Sequence, residues 1–288
     1  MTVIDTGLQD LKRQHPEWEP WLAVVQTMLR EINNPHWDAV VPRGLTPQDK
    51  TPLLAGASLG LQQDSVYDLF RSLIRIASRS GTPQMASLEH ALEADLDVLD
   101  LFKAALRQDC DYLTQSAIAV GAQPEAFQAV TALVPMPFLH ACNRHWKHST
   151  PAGWLEGYCP VCGAWPAFAE VRGIERTRYF RCGRCGGEWR SHCLFCAYCG
   201  MNDHEALVSL IPENSGPNRV IEACKRCLGY VKAFTTLEAS APEKIILDDL
   251  ASVELDVAAV EQGYKRPQGA GYIPDVTITD KQLTPGWQ

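Results

Sequence analysis

Apolar positions recur at helical spacing through the first half of the chain and then lose that spacing. Between Trp18 and Glu31 the apolar residues Trp21, Leu22, Val24, Val25, Met28 and Leu29 form one stripe, which predicts a helix. A second helix is expected over Val66–Ile76, with Leu69, Phe70, Leu73 and Ile74 on one side. From Ser87, a candidate N-cap, to Arg107 the residues Leu88, Leu92, Leu96, Leu99, Phe102 and Leu106 recur every three or four positions, which predicts one long amphipathic helix. Asp111–Val120 predicts a shorter helix stopped at Gly121. Pro124 opens another that runs towards His148 and is broken or kinked by Pro135 and Pro137. The segment from Asn33 to Pro52 carries five prolines or glycines, at Pro35, Pro42, Gly44, Pro47 and Pro52, and predicts an ordered loop.

The pattern changes at residues 149–153. Beyond this point cysteine, glycine and arginine dominate and alternation replaces the helical period. Strands are expected within Val171–Phe180 around a turn near Gly173, at Leu207–Ile211 and Arg219–Glu222 around the turn at residues 214–217, and at Tyr230–Leu237. A last helix is expected over Leu250–Gln262, followed from Pro267 by a polar, extended tail. The domain organisation that follows is residues 1–150 helical, 151–192 and 193–237 two small β modules, and 238–288 a C-terminal helix and tail.

Nine of the 11 cysteines lie between Cys159 and Cys227. Eight of them form four pairs with two residues between partners: Cys159 and Cys162, Cys182 and Cys185, Cys196 and Cys199, Cys224 and Cys227. That spacing lets one tight turn aim two sulfurs at one ion, as in the knuckles of zinc ribbons and rubredoxin-like folds. Gly163, Gly186 and Gly200 follow three of the pairs, where a knuckle needs a positive φ. In the fourth, Leu228 stands there and the glycine comes one residue later. Pairing in sequence order gives two four-sulfur sites; spacing alone equally permits interleaved ones. Tetrahedral four-sulfur sites suit zinc or iron, and by ligand chemistry alone zinc is preferred. Four sulfurs leave no open position for a substrate.

Cys193, with two residues between it and Cys196, could substitute as a ligand; the preferred reading is a free thiol near the second site, open to redox reactivity. Cys110 and Cys142 are expected as packed thiols, and the series His140, His145 and His148 as hydrogen-bonded or solvated histidines. Arg178, Arg181, Arg184, Lys225 and Arg226 flank the knuckles and are expected to offset thiolate charge.

Composition narrows the functional classes. The net charge is −8 and thiolate ligation makes it more negative, a poor general surface for nucleic acid or an anionic membrane. The first residues lack a basic region followed by an apolar run, and no apolar stretch is long enough to span a bilayer. A cytoplasmic location is expected, where paired cysteines are ligands more often than disulfides.

Taken together, the motifs Tyr158–Gly163, Arg178–Cys185, Glu188-Trp189, Cys196–Gly200, Glu222–Cys227, Asp248–Ser252, Leu255-Asp256 and Gly263-Tyr264 resemble the bacterial formate dehydrogenase accessory protein family, FdhE. The resemblance implies an all-α N-terminal helical domain followed by two tandem rubredoxin-like or zinc-ribbon small β modules, each with a four-cysteine metal site, paired sequentially. It implies two metal ions, with iron now favoured over zinc. It also implies a non-enzymatic maturation factor, chaperone-like, that binds the catalytic subunit of a respiratory formate dehydrogenase before export. Cys193 departs from the family pattern, so no role is inherited there. Two other classes stay open: an electron-transfer or thiol-redox protein, and a nucleic-acid-binding ribbon that would use Arg172, Arg176, Arg178, Arg181, Arg184 and Arg190 with Tyr179, Phe180 and Trp189.

Overall fold

The computed structural model describes residues 3–79, 82–151, 153–212, 216 and 218–281. It divides into two compact units. Among the described residues, one comprises Leu8–Leu45, Leu54–His145 and 274–281; the other comprises 3–7, Thr46–Leu53 and Trp146–Ile273.

In the helical unit the expected stripes become helices at Glu19–Glu31, Gln63–Ser78, Cys110–Ala119, Pro124–Thr131 and Met136–Trp146. Pro135 separates the last two. The single long helix expected over Ser87–Arg107 is divided. Short turns end at Glu93, the chain extends at Ala94, and a new helix begins at Val98–Arg107. The cause is local: the Asp97 carboxylate accepts from the amides of Leu99 and Asp100, so it caps a fresh N-terminus inside an apolar pattern that never loses its period. Within the Asn33–Pro52 loop, Asn34 caps a short helix, Pro35–Ala39. The core is aromatic: Trp37 stacks on Phe102 at 6.4 Å, and Phe102 meets Phe138 edge-on at 6.0 Å. Strand β1 (Ser58–Leu61) pairs in parallel with Thr277–Asp280, a strand from the tail, where the sequence predicts only extended chain.

The cysteine-rich unit holds six strands: β2 (Phe168–Arg172), β3 (Thr177–Arg181), β4 (Glu188–Ser191), β5 (Leu207–Leu210), β6 (Arg219–Cys224) and β7 (Tyr230–Thr236), the tail strand being β8. The turn residues Asn214, Ser215 and Pro217 lie outside the described residues, as does Ala152 at the change of pattern. The two expected antiparallel hairpin ribbons are present, but they merge into one sheet of order β4-β3-β2-β7-β6-β5. The seam is a parallel pairing of β2 with β7, from Phe168 opposite Lys232 to Arg172 opposite Thr236. At the seam Phe168 and Phe234 pack at 4.7 Å. The expected last helix is Val253–Glu261, and a short helix that the sequence pattern does not predict, Ile245–Leu250, precedes it. Leu255 and Ala259 of the second close the core over Ile221, Ala223 and Tyr230. Lys232 of β7, fully buried, ties this layer down. Its ammonium donates to the carbonyl of Asp249 and pairs with the carboxylates of Asp249 and Asp256. Burial alone would raise the Asp249 carboxyl, but the charges of Arg266 and Lys232 outweigh it and hold it below the usual range.

Candidate metal centres

Each knuckle is the same turn written four times. The amide four residues after the first cysteine donates back to that cysteine's carbonyl: Gly163 to Cys159, Gly186 to Cys182, Gly200 to Cys196 and Leu228 to Cys224. The first cysteine's own amide donates to the carbonyl five residues on, at Ala164, Gly187, Met201 and Gly229. The closing residue has positive φ in all four: 77° at Gly163, 70° at Gly186, 71° at Gly200 and 58° at Leu228. The departure in the fourth pair is therefore one of residue type and not of geometry. Backbone N–H groups also approach the sulfurs, from Cys185 to Cys182 Sγ at 3.5 Å and from Gly229 to Cys227 Sγ at 3.4 Å.

The turns gather their sulfurs in sequence order. Cys159, Cys162, Cys182 and Cys185 converge, as do Cys196, Cys199, Cys224 and Cys227, with all Sγ atoms of a set within 4.8 Å of one another. The closest Sγ pairs in the first set are both 3.5 Å apart, and in the second 3.6 and 3.8 Å. A disulfide needs about 2.05 Å. A tetrahedron with metal–sulfur bonds of about 2.3 Å has edges of about 3.8 Å. The sulfur sets thus have the dimensions of a tetrahedral metal shell, and the donor chemistry fits zinc or iron.

Electrostatics points the same way. In the first set burial pushes the Cys159 and Cys185 thiols up, while hydrogen bonds from Cys159 and then Cys162 hold Cys182 well below the ordinary thiol range. In the second, burial pushes Cys196 and Cys227 up. At Cys224 burial acts in the same direction, but the amides of Cys227 and Arg226 outweigh it and hold the thiol down. Burial thus opposes ionisation of two sulfurs in each set, and a divalent ion would offset that by neutralising them as they ionise.

The surroundings contribute supports that spacing does not reveal. The Leu53 amide donates to the Pro160 carbonyl inside the first knuckle, and the Tyr272 amide to the Gly163 carbonyl. The Lys265 amide donates to the Leu228 carbonyl of the fourth. None of Leu53, Lys265 and Tyr272 lies near a cysteine in sequence, and only the short Pro-Gly-punctuated stretches around them hint at chain returning to the knuckles.

Two of the flanking arginines make their direct contacts with carboxylates on other strands. Arg181, buried, pairs with the fully buried Glu170, which Arg172 also grips. Arg178 pairs with Glu222 of β6. The named partners of both arginines are carboxylates, carbonyls and, for Arg178, the Ser191 hydroxyl, rather than sulfur. Phe180 and Trp189 are buried beside one another, so these aromatics cannot offer stacking faces to bases. Cys142 is packed as expected, but Cys110 is exposed, because it opens a helix at the surface. His140 is buried, and His145 meets the Asp38 carboxylate at 3.1 Å. Cys193 is exposed and outside both sulfur sets.

A family model described as "FdhE, C-terminal domain" matches residues 194–272, which hold the whole second sulfur set. Over this C-terminal stretch the chain is similar to the FdhE family. A relative named "Protein FdhE homolog" from Aquifex aeolicus is 27% identical over 202 residues, covering 68% of this chain and 65% of the relative. Another, from Pseudomonas aeruginosa, is 35% identical over 151 residues, 46% of this chain and 47% of its own. "Protein FdhE" of Escherichia coli O127:H6 is 32% identical over 111 residues, 38% of this chain and 35% of its own. These matches each span less than two thirds of the relative. The fold is similar to that in "The crystal structure of the FdhE protein from Pseudomonas aeruginosa", with a TM-score of 0.57 at 24% identity over 92% of both chains.

Proposed function

We propose that this protein is a non-enzymatic accessory factor for formate dehydrogenase, which holds the enzyme's catalytic subunit in the cytoplasm before export and carries one metal ion in each sulfur set. The observation that carries this reading is the pairing of an FdhE C-terminal-domain match with two four-sulfur sets, each gathered within 4.8 Å. A shell filled by four protein sulfurs offers no position for substrate, which favours architecture or electron storage over bond-making chemistry. The metal ligands are Cys159, Cys162, Cys182 and Cys185 at site one, and Cys196, Cys199, Cys224 and Cys227 at site two. Iron is preferred to zinc, and the knuckles are read as rubredoxin-like. No helix among the described residues is long and apolar enough to cross a membrane.

Co-purification of the metal-loaded chain with the catalytic subunit tests the reading; absence of association in both oxidised and reduced states would overturn it. Metal analysis and a visible spectrum on anaerobically prepared protein decide between the metals, because four-sulfur iron is coloured and zinc is not. A second reading, electron transfer, is favoured by one observation: Cys199 of site two reaches solvent. Reversible bleaching by dithionite is its expected signature, and a colourless zinc protein would end it.

A further inference from the structure

The two sulfur sets differ in their access to solvent. All four sulfurs of site one belong to fully buried residues. At site two Cys199 is exposed and Cys227 half-buried. A fifth cysteine, exposed, lies three residues before Cys196. Cys193 lines the same cleft as Cys196 and Cys224, together with Arg178, Phe195 and Tyr230.

The backbone carrying Cys193 is anchored on both sides of the thiol. Arg178 Nη1 donates to Ser191 Oγ at 2.9 Å, to the His192 carbonyl at 3.2 Å and to the Phe195 carbonyl at 3.4 Å. The arginine is only 3% exposed, and its other nitrogen, Nη2, is held by Glu222. Its Nε is buried and has no hydrogen-bond partner. Arg178 thus positions a free thiol at the rim of a cleft whose wall includes two site-two sulfurs. Cys193 and Cys196 are also separated by two residues, the spacing of dithiol–disulfide pairs.

We propose that Cys193 is a thiol-oxidation site whose disulfide partner is Cys196, so that an oxidant of the peroxide class dismantles site two and leaves site one loaded. The inference rests on the metal reading of site two given above. In the first step the Cys193 sulfur attacks one peroxide oxygen; the O–O bond breaks, a sulfenic acid forms and one water leaves. In the second, the Cys196 sulfur gives up its bond to the ion and attacks the sulfenic sulfur. The S–S bond forms, the S–O bond breaks and a second water leaves. The Cys193 thiol and the Cys196 thiolate supply two electrons to one peroxide; the Cys193 thiol supplies one proton and solvent water the other, and the ion departs with its oxidation state unchanged. Three remaining sulfurs hold it too weakly to compete with a chelator.

The test uses the full chain loaded with zinc, which exchanges no electrons with peroxide, and a chromogenic chelator. Stoichiometric hydrogen peroxide should release one of two zinc ions per chain, and peptide mapping should find a Cys193–Cys196 disulfide. In Cys193→Ser, a change at an exposed position, release should slow by about tenfold or more, with two zinc ions still bound before oxidant is added. Equal release rates in C193S and wild type, loss of both ions together, or a disulfide elsewhere would overturn the proposal while leaving the metal reading standing. Fewer than two zinc ions per chain before oxidant is added would instead overturn the two-site reading, and the inference with it.

Discussion

Leu228 and Gly229 divide two tasks that one glycine would be expected to perform. Leu228 adopts the left-handed backbone, φ 58°, that glycine adopts in the other three knuckles. Gly229 supplies room: a Cβ there would lie 2.3 Å from the Tyr198 ring and 3.2 Å from Cys227 Sγ. The ring is fixed in turn, because Tyr198 Oη donates to the Tyr230 carbonyl at 2.8 Å. The left-handed region costs a leucine roughly 1–2 kcal/mol, part of which a glycine would return through greater freedom when unfolded. Leu228→Gly should therefore stabilise the metal-loaded protein by about 0.5–1 kcal/mol, since the leucine is 47% exposed and little burial is lost. Gly229→Ala should cost about 1–3 kcal/mol by overpacking. Denaturant unfolding of both variants measures this, and a stabilised G229A or a destabilised L228G would contradict the division of roles.

Glu170 provides a pH test. Its side chain is fully buried and bonded to Arg181, Arg172 and the Ser240 amide. Burial would raise its carboxyl, but Arg181 and then Arg172 outweigh burial and hold it below its ordinary 4.5. A carboxyl depressed by folding contributes stability above its unfolded value, and the contribution disappears as pH falls through the lower folded value. Glu170→Gln should be less stable than wild type by about 3–5 kcal/mol near neutrality. The difference should shrink as pH falls below 4.5. Paired unfolding curves at neutral pH and on the acid side of that value check the sign.

The unequal burial of the sulfur sets predicts unequal responses to ligand loss. Cys162→Ser leaves a buried shell one sulfur short with no water to replace it, so the β unit should lose its protease resistance. Cys199→Ser opens a shell that already meets solvent, and the unit should stay folded with site two weakened. Limited proteolysis beside metal counting separates the two; equal sensitivity in both variants would argue against the distinction.

In the helical unit, Asp97 should be replaceable by Ala only at a loss of about 1 kcal/mol. The same change at the neighbouring Asp95, which stands before the cap and outside the helix, should be nearly neutral. Thermal melts of the two variants decide it.

Much of the candidate site was legible because two-residue spacing between cysteines is itself a structural instruction. Spacing left sequential and interleaved sulfur sets equally open, and the family resemblance implied the sequential order; spacing with glycine placement identified three of the four turns. What escaped was non-local or competitive. The Ser87–Arg107 pattern keeps its apolar period across a break that one carboxylate imposes, so periodicity could not locate it. The seam between β2 and β7 joins strands far apart in the chain, Phe168 to Lys232, with no turn to announce it. The arginines beside the knuckles look like counter-charges to sulfur when only neighbours in sequence are visible; their carboxylate partners, Glu170 and Glu222, lie on other strands. The pairing of β8 with β1 likewise links Ser58 to Thr277, and a short polar strand leaves little trace in composition.

The parallel seam also sets a timetable. When β2 leaves the ribosome, its hairpin partner β3 follows after a four-residue turn, but β7 begins only at Tyr230. At ordinary elongation rates that interval is several seconds. Through it β2 is a bare edge, and the first sulfur set can already be filled and closed. Metal capture at the earlier site would give that edge a rigid shape before its parallel neighbour exists, so the nascent chain could use a loaded first ribbon as the template on which the second is laid down.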